Sequence, residues 1–322
     1  MMANSAAFRA MALRFAAWLG VLGVAALLAA CAEFGPPRTL KVGAGQEYAT
    51  PSAAARAARD GDTVEIEPGE YVDCAVWQQD DLTIVGLGTG ATLSDKSCQG
   101  KGIFVIYGSD VTIRNITFAR ARVADHNGAG IRAQGQNLTV EHSRFIDNED
   151  GILASSASGS TIRIVDSEFT GNGVCADECA HGIYVNRVAL LHIEHSKFFG
   201  TKEGHHIKSR AYRTELIGND IRDGDKGNSS YLVDVPNGGA LIMEDNTLEK
   251  GPNADNQTSA ITIGAENASN PAGEMIIRNN RFTNDMAKQT IFVRNMTPGE
   301  AVLIGNRLQG QVVPLTGKGT VQ

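Results

Sequence analysis

A short repeated segment constrains the fold of this chain more than any other feature of its sequence. An eight-residue pattern, VTIRNITF in its first clear copy, recurs at intervals of about 27 residues. The copies end at Phe118, Phe145, Phe169, Phe198, Ile221, Leu248, Phe282 and Leu308, after a degenerate copy that ends at Thr89. Apolar residues alternate within each copy, which is the period of a β-strand, and a second short apolar strand follows most copies. Short strands joined by loops of variable length predict a β-solenoid.

One column of the repeat indicates how its copies stack. The residues two positions before the copy ends are Ile116, Ser143, Ser167, Ser196, Asn219, Asn246, Asn280 and Asn306. Stacked Asn side chains can hydrogen-bond along a solenoid axis, because neighbouring strands are about 4.8 Å apart. The alternative is that Asn simply favours the turn at this position. Both interpretations require stacked turns.

The column resembles the asparagine ladder of right-handed parallel β-helices of the pectin-lyase-like superfamily. The run from Val42 to Tyr71 also resembles the N-terminal segment of that superfamily, in which a short helix caps the open end of the solenoid. We expect this helix at residues 50–60, with Thr50 as N-cap, Pro51 at the first helical position and Gly61 at its end. The expected fold class is all-β: a single-stranded right-handed parallel β-helix over residues 40–322, with about nine coils and a length near 45 Å.

The N-terminal residues have the pattern of an export signal. Residues 15–30 are uninterrupted apolar residues, somewhat fewer than the roughly 20 of a transmembrane helix, so residues 1–30 are interpreted as a signal peptide. Leu28-Ala29-Ala30-Cys31 resembles a bacterial lipobox, which implies a lipid on the sulfur of Cys31 and a lipidated tether over residues 31–39. An ordinary signal peptide with an incidental cysteine is the alternative. Since Ala32 follows, we expect an exported, monomeric outer-membrane lipoprotein that faces the periplasm or the cell surface.

The remaining four cysteines fit an oxidising compartment. The simplest pairings are Cys74–Cys98 and Cys175–Cys179, although four cysteines allow three connectivities. The rival interpretation is a metal site formed by Cys175, Cys179 and His181. No fourth ligand is evident, and no metal or other cofactor is expected.

The fifth of the second strands carries the densest group of titratable side chains. If Ile207 faces inward, His206, Lys208 and Arg210 share the outer face, because alternate residues of a strand point to the same side. The preceding coil then places Tyr184 beside Lys208. These side chains are the candidate catalytic residues, together with His181.

Neighbouring coils complete the candidate site. The candidate substrate-binding residues are Arg132, Asn186, His205 and Asp234. Asp234 joins the outer face next to Lys208 only if Val233 is inward. The whole chain has a net charge of −7, which makes it a poor partner for nucleic acid. A cluster of Lys, Arg and His in such a chain creates a local positive potential that suits an anionic ligand. A solvated strand face with cross-strand pairs is the alternative.

The resemblance to the superfamily implies carbohydrate chemistry on an acidic polysaccharide, by a lyase, an epimerase, a glycosidase or an esterase. For β-elimination or C5 epimerisation of a uronate, Arg210 would bind the carboxylate and Lys208 or His206 would be the base. Tyr184 would be the acid and His181 would orient the site. Some members use Ca²⁺, and the acidic loop 223–228 faintly suggests it, although the loop lacks the full calcium-loop spacing.

Two other functions remain open. A glycoside hydrolase needs two carboxylates at a defined separation, whereas Asp147, Glu149 and Asp150 lie in one turn and are interpreted as solvated. A lipid-anchored rod could also bind a polysaccharide without changing it. A catalytic site predicts a concave groove walled by the loops 170–180 and 222–230, and a binding rod predicts a flat strip.

Overall fold

A computed structural model describes residues 35–322 of the chain. The signal peptide predicted at residues 1–30, the lipidation of Cys31 and the first residues of the tether lie outside the described residues. The compact unit spans Thr39–Gln322. Among the described residues, no helix has the length and apolar character needed to cross a bilayer.

Three long sheets of parallel strands run along this unit. The first sheet contains β1 (Thr39–Val42), β2 (Thr63–Ile66), β5 (Thr83–Gly86), β8 (Val111–Arg114), β11 (Leu138–Glu141), β14 (Ala157–Val165), β19 (Val188–Glu194), β22 (Arg213–Ile217), β25 (Ala240–Glu244), β28 (Met275–Arg278), β31 (Ala301–Ile304) and β34 (Gly319–Val321). The second sheet contains β4 (Ala75–Trp77), β7 (Gly102–Ile106), β10 (Ala129–Ala133), β13 (Asp150–Ala154), β18 (Ile183–Val185), β21 (Ile207–Ser209), β24 (Val233–Val235), β27 (Ser259–Ile263), β30 (Thr290–Asn295) and β33 (Val312–Thr316).

The third sheet contains β3 (Gly69–Tyr71), β6 (Ala91–Ser94), β9 (Ile116–Ala119), β12 (Arg144–Ile146), β15 (Glu168–Thr170), β20 (Lys197–Phe199), β23 (Asp220–Arg222), β26 (Thr247–Lys250), β29 (Arg281–Asn284) and β32 (Arg307–Gln309). Each complete coil contributes one strand to each sheet, and β1 and β34 at the two ends add a strand to the first sheet only, so the chain winds into a parallel β-solenoid of about eleven coils. The expected nine coils were too few, because the terminal coils lack the repeated pattern. One antiparallel hairpin, β16 (Val174–Cys175) and β17 (Cys179–Ala180), projects from the solenoid.

The column of Ser and Asn residues forms the predicted ladder. The side-chain amide of Asn246 donates to Oδ1 of Asn280 at 2.8 Å, and its backbone N–H donates to the same oxygen at 3.0 Å. Asn219 bonds to Asn246 in the same way. In the earlier coils the backbone N–H of Ser143 donates to Oγ of Ser167. Each buried turn is therefore hydrogen-bonded to the next along the axis.

Aromatic rings fill the interior beside this ladder. The rings of Phe118, Phe145, Phe169 and Phe198 are fully buried and stack in sequence, with centroids 5.2, 4.5 and 4.6 Å apart. They are the residues that end the copies of the repeat, so the repeat itself builds the core.

The predicted capping helix is present but short. Helix α1 spans Pro51–Ala57, three residues fewer at its C-terminal end than expected. Oγ1 of Thr50 accepts the backbone N–H of Ala53, and proline occupies the start, as the sequence predicts. Ala54 and Ala55 are buried against the first coils. The helix thus covers the N-terminal end of the solenoid, where strand edges would otherwise be exposed.

Candidate functional site

The candidate site lies on the second sheet, where three neighbouring strands hold its central side chains. Tyr184 in β18, Lys208 in β21 and Asp234 in β24 are direct partners in the parallel register. Ile207 and Val233 are fully buried. The expected alternation therefore holds within these strands, and Tyr184 does lie beside Lys208.

Tyr184, Lys208 and Arg210 form one cluster of contacts. Nε of Arg210 donates to the hydroxyl of Tyr184 at 3.0 Å. Nζ of Lys208 lies 5.4 Å from the centre of the Tyr184 ring, within the range of a cation–π contact. Nη1 of Arg210 donates to Oδ1 of Asn237 at 2.7 Å. These contacts hold both cations next to the ring of Tyr184.

Glu266 joins this cluster and was not predicted from the sequence. Its carboxylate accepts from Nζ of Lys208 at 3.0 Å and from Nη2 of Arg210 at 2.6 Å. Partial burial alone would raise the pKa of Glu266, but the two charged donors outweigh it and hold that pKa below its usual value. Because Glu266 lies in the loop after β27, far along the chain and outside any strand, no periodic pattern pointed to it.

His181 and His205 stack beneath the cluster as neutral rings. Their centroids are 4.6 Å apart. Nδ1 of His181 accepts the backbone N–H of His205 at 2.9 Å, and Nδ1 of His205 accepts that of Tyr231 at 3.2 Å. Burial, reinforced by nearby positive charge, lowers the pKa of His205 to about 3 and that of His181 well below its usual value. The positive potential therefore comes from Lys208 and Arg210 and not from the histidines.

His206 does not lie on the outer face, which corrects the prediction. Its side chain is fully buried. Nδ1 bonds to Oγ1 of Thr201 at 2.8 Å, and Nε2 bonds to Oδ1 of Asp223 at 3.0 Å. Strand β21 begins only at Ile207, so His206 lies in the preceding bend, where strand alternation does not apply. It cannot reach a substrate on the second sheet.

The loop 223–228 gains no support as a calcium site. The second carboxylate oxygen of Asp223 accepts the backbone N–H of Gly251 at 3.0 Å, so both of its oxygens have partners within the fold. Within residues 35–322, no three His, Cys, Asp or Glu residues are grouped to hold a metal ion. Cys175 and Cys179 form a disulfide, as do Cys74 and Cys98. Both expected pairings are confirmed, and the rival Cys–His metal site is wrong.

The proposed substrate-binding residues occupy different environments. Asp234 has the expected register, but it is 97% buried, and burial raises its pKa to about 7. The side-chain amide of Asn186 donates to the carbonyl of Ala154 at 3.0 Å and so links two coils. Arg132 lies two coils before Tyr184 in the same column, separated from it by Leu153. The structure therefore does not bring Arg132 into the Lys208 cluster.

Two adjacent concavities open around this column. The first, here called the Lys208 cleft, has a volume of about 470 Å³ and is lined by Tyr184, His181, His205, Lys208, Arg210 and Glu266, with Cys175, Glu178, Cys179, Glu203, Ser230 and Asp255 at its walls. The second, the Asp150 cleft, has about 480 Å³ and is lined by residues 124–127 and 176–180 with Asp150, Leu153 and Tyr184. The disulfide hairpin borders both clefts. The site is concave, and the 170–180 loop forms one wall as expected. The loop 222–230 contributes only Ser230.

The turn 147–150 is not solvated throughout, contrary to expectation. Asp147 is partly exposed and pairs with Lys202 at 2.7 Å. Glu149 is buried, and its carboxylate accepts the backbone N–H of Gly128 at 2.7 Å. Asp150 is also buried and accepts the backbone N–H of His181 at 2.7 Å. Burial raises the pKa of Asp150 to about 8, so this carboxyl keeps its proton to a much higher pH than an exposed aspartate does.

Comparison with known proteins agrees with this architecture. Residues 74–221 match a family model described as "Right handed beta helix region". The fold is a right-handed parallel β-helix. Among solved structures, this β-helix is similar to an alginate lyase from Paenibacillus sp. str. FPU-7, with 15% identity over 86% of this chain and 99% of that one and a TM-score of 0.50.

Two further structures resemble this β-helix more distantly. The pectate lyase Pel9A shares 10% identity over 88% of this chain and 80% of its own, with a TM-score of 0.44. The mannuronan C-5 epimerase AlgE4 A-module of Azotobacter vinelandii shares 16% identity over 84% and 93%, with a TM-score of 0.39. A sequence search of curated proteins finds no significant match. At these identities the likenesses concern the fold of this β-helix alone.

Proposed function

We propose that this β-helix acts on a uronate-containing polysaccharide in the Lys208 cleft, by β-elimination or C5 epimerisation. The observation that carries the proposal is the position of Glu266, whose carboxylate is held by Lys208 and Arg210 together. A sugar carboxylate that replaced it would meet the same two charge-assisted donors, beside the aromatic face of Tyr184. The alginate lyase with the same fold is consistent with such chemistry on a β-helix.

Each side chain of the cluster has a place in this reaction. Arg210 binds the uronate carboxylate and so acidifies the C5 proton. Lys208 gives up its own proton once the uronate is bound to Arg210 and then takes the C5 proton, since His206 is buried and cannot do so. In elimination the C4–O bond then breaks, a C4–C5 double bond forms, and Tyr184 protonates the departing oxygen. In epimerisation Tyr184 instead donates a proton to C5 from the opposite face. His181 positions Tyr184, whose ring meets it edge-on at 5.3 Å.

The test measures ultraviolet absorbance of unsaturated uronates while the purified protein is incubated with a panel of uronate polymers. Elimination raises the absorbance, and the double variant Lys208→Ala/Arg210→Ala should abolish the rise. Arg213→Ala is the matched control, because Arg213 is a paired surface arginine of the first sheet. Exchange of the C5 proton with deuterated water detects epimerisation. No absorbance change and no exchange on any polymer would refute the catalytic proposal.

A binding protein without catalysis is the second candidate. The carboxylate of Glu266 pairs with both cations of the cluster, and a held carboxylate is all that binding requires. This function predicts polymer binding that depends on Lys208 and Arg210 but leaves the polymer unchanged. The two candidates therefore differ in the product assay and not in the binding assay.

We further propose that the protein is exported and anchored to the outer membrane through Cys31. The two disulfides of the β-helix are the supporting observation, since such bonds persist in oxidising compartments. Metabolic labelling with a radioactive fatty acid should mark the wild-type protein. Cys31→Ser should abolish the label and release the protein from the membrane fraction, and labelling of that variant would refute the anchor.

A further inference from the structure

The two clefts carry more negative than positive charge. Their exposed carboxylates are Asp125, Asp177, Glu178, Glu203, Asp255 and Glu266. The Lys and Arg side chains among their described lining residues are Lys208 and Arg210. One carboxylate, that of Glu266, pairs with both cations and offsets one of their two positive charges. The attraction for an anion is therefore confined to a single point in the groove.

Three of these carboxylates, those of Asp177, Glu178 and Asp255, lie on the walls of the clefts. Asp177 and Glu178 lie in the loop that the Cys175–Cys179 disulfide closes, and this loop borders both clefts. Asp255 lies on the Lys208 cleft as well. Within residues 35–322, Asp177, Glu178 and Asp255 form no ion pair with Lys, Arg or His, although the buried ammonium of Lys250 lies within electrostatic range of Asp255. A polymer lying in the groove passes these unpaired carboxylates.

The spacing of charges along a polymer decides how it meets this arrangement. In a homopolyuronate every sugar carries a carboxylate, so the sugars adjacent to the one at Lys208 and Arg210 also bring negative charges. At physiological salt, like charges repel over a Debye length of about 8 Å. We call the carboxylates of Asp177, Glu178 and Asp255 the acidic walls. A polymer with neutral sugars between its uronates brings one carboxylate to the two cations and none to the acidic walls. Like-charge contacts of this kind are a common means of rejecting a competing ligand.

We propose that the preferred ligand is a heteropolysaccharide in which single uronate residues are separated by uncharged sugars, and that the acidic walls reject homopolyuronates. This inference rests on the proposed function, because it assumes that a uronate occupies the Lys208 cleft. It deepens that function by naming the substrate class. Neutral sugars on either side can contact Tyr184 and the disulfide hairpin without an electrostatic cost.

The experiment compares binding of two size-matched ligands by calorimetry. The ligands are a hyaluronan hexasaccharide, in which glucuronate alternates with N-acetylglucosamine, and a hexagalacturonate. The buffer is free of divalent cations, so that bridging ions do not mask the repulsion. We expect the wild-type chain to bind the alternating ligand about tenfold more tightly, as one or two screened like-charge contacts imply. Added salt should narrow this difference.

A variant that removes the negative charges of the acidic walls provides the decisive test. Asp177→Asn/Glu178→Gln/Asp255→Asn should bind hexagalacturonate about tenfold more tightly than the wild type and leave the alternating ligand nearly unchanged. The matched control, Asp166→Asn/Asp245→Asn/Glu300→Gln, removes the same charge from exposed positions outside the two cleft linings and should change neither affinity.

The outcomes separate this inference from the proposed function. Equal or tighter binding of hexagalacturonate by the wild type, or no gain in the wall variant, would overturn the inference while Lys208→Ala/Arg210→Ala still abolished binding. If that double variant bound like the wild type, or if neither ligand bound, the proposed function would fail and the inference with it.

Discussion

Replacing Asp150 by Asn should stabilise the β-helix, and the gain should grow as the pH rises. The carboxyl is fully buried in β13, and burial raises its pKa from 3.8 to about 8. Its stabilising contribution is greatest below pH 3.8, where the unfolded chain is also protonated. It is lost as the pH rises towards 8, because only the unfolded chain then releases the proton.

The magnitude follows from the two pKa values. Between pH 5 and pH 7 the unfolded carboxyl is ionised and the folded one is protonated, so each pH unit costs about 1.4 kcal/mol of unfolding free energy. The advantage of Asp150→Asn over the wild type should therefore increase by about 2–3 kcal/mol over this range. Asn retains an oxygen that can accept the backbone N–H of His181, so the buried hydrogen bond is kept.

The assay is urea denaturation at pH 5, 6, 7 and 8, followed by circular dichroism. Asp166→Asn is the control, because Asp166 is exposed on a turn of the first sheet and Asn tolerates its left-handed backbone. Its difference from the wild type should vary little with pH. A constant difference between Asp150→Asn and the wild type from pH 5 to pH 7 would refute the reasoning, since Asp150 would then ionise in the folded protein as it does in the unfolded chain.

Three further predictions concern the stability of the solenoid. Asn246→Ala should lower the unfolding free energy by about 3 kcal/mol, because it leaves buried backbone and amide groups of the adjoining coils unpaired. Asn306→Ala, at the half-buried end of the ladder, should lower the unfolding free energy by a smaller amount in the same urea titration. Phe169→Ala should cost about 3–5 kcal/mol in that titration, since it opens a cavity in the ring stack, and a loss below 1 kcal/mol would contradict that packing. Cys74→Ser/Cys98→Ser should cost about 3 kcal/mol, because the lost bond spans 24 residues, and an unchanged melting temperature in calorimetry would argue against this link.

The fold could be predicted because the same positions recur in every central coil. The Phe residues recur at one inward position of the coil, and the Ser and Asn residues recur at one turn position. This period alone implied stacked coils. The residue before each ladder position adopts a left-handed backbone, which explains why Asn, Asp, His and Gly occupy it. The terminal coils with β1 and β34 lack this pattern, and the sequence count therefore missed them.

The candidate site could be predicted only where a strand fixes the direction of a side chain. Within β18, β21 and β24 the period of two residues placed Tyr184, Lys208 and Asp234 in register. His206 lies one residue before β21, and there the two-residue alternation gave the wrong direction, because a bend turns its side chain inward. Glu266 belongs to a loop, whose path depends on tertiary contacts, and sequence alternation carries no information about it.

The position of Glu266 connects the proposed reaction with the choice of substrate. A uronate that binds to Lys208 and Arg210 must displace the internal carboxylate, so one charge-assisted pair replaces another and the exchange itself adds little affinity. The remaining affinity must come from contacts with uncharged parts of the polymer, such as a sugar ring against Tyr184. Extra carboxylates would add no such contact and would face the acidic loop at Asp177 and Glu178. Displacement of Glu266 and repulsion by the acidic walls therefore favour the same ligand. This ligand has one carboxylate, which binds to Lys208 and Arg210, and uncharged sugars on either side of it.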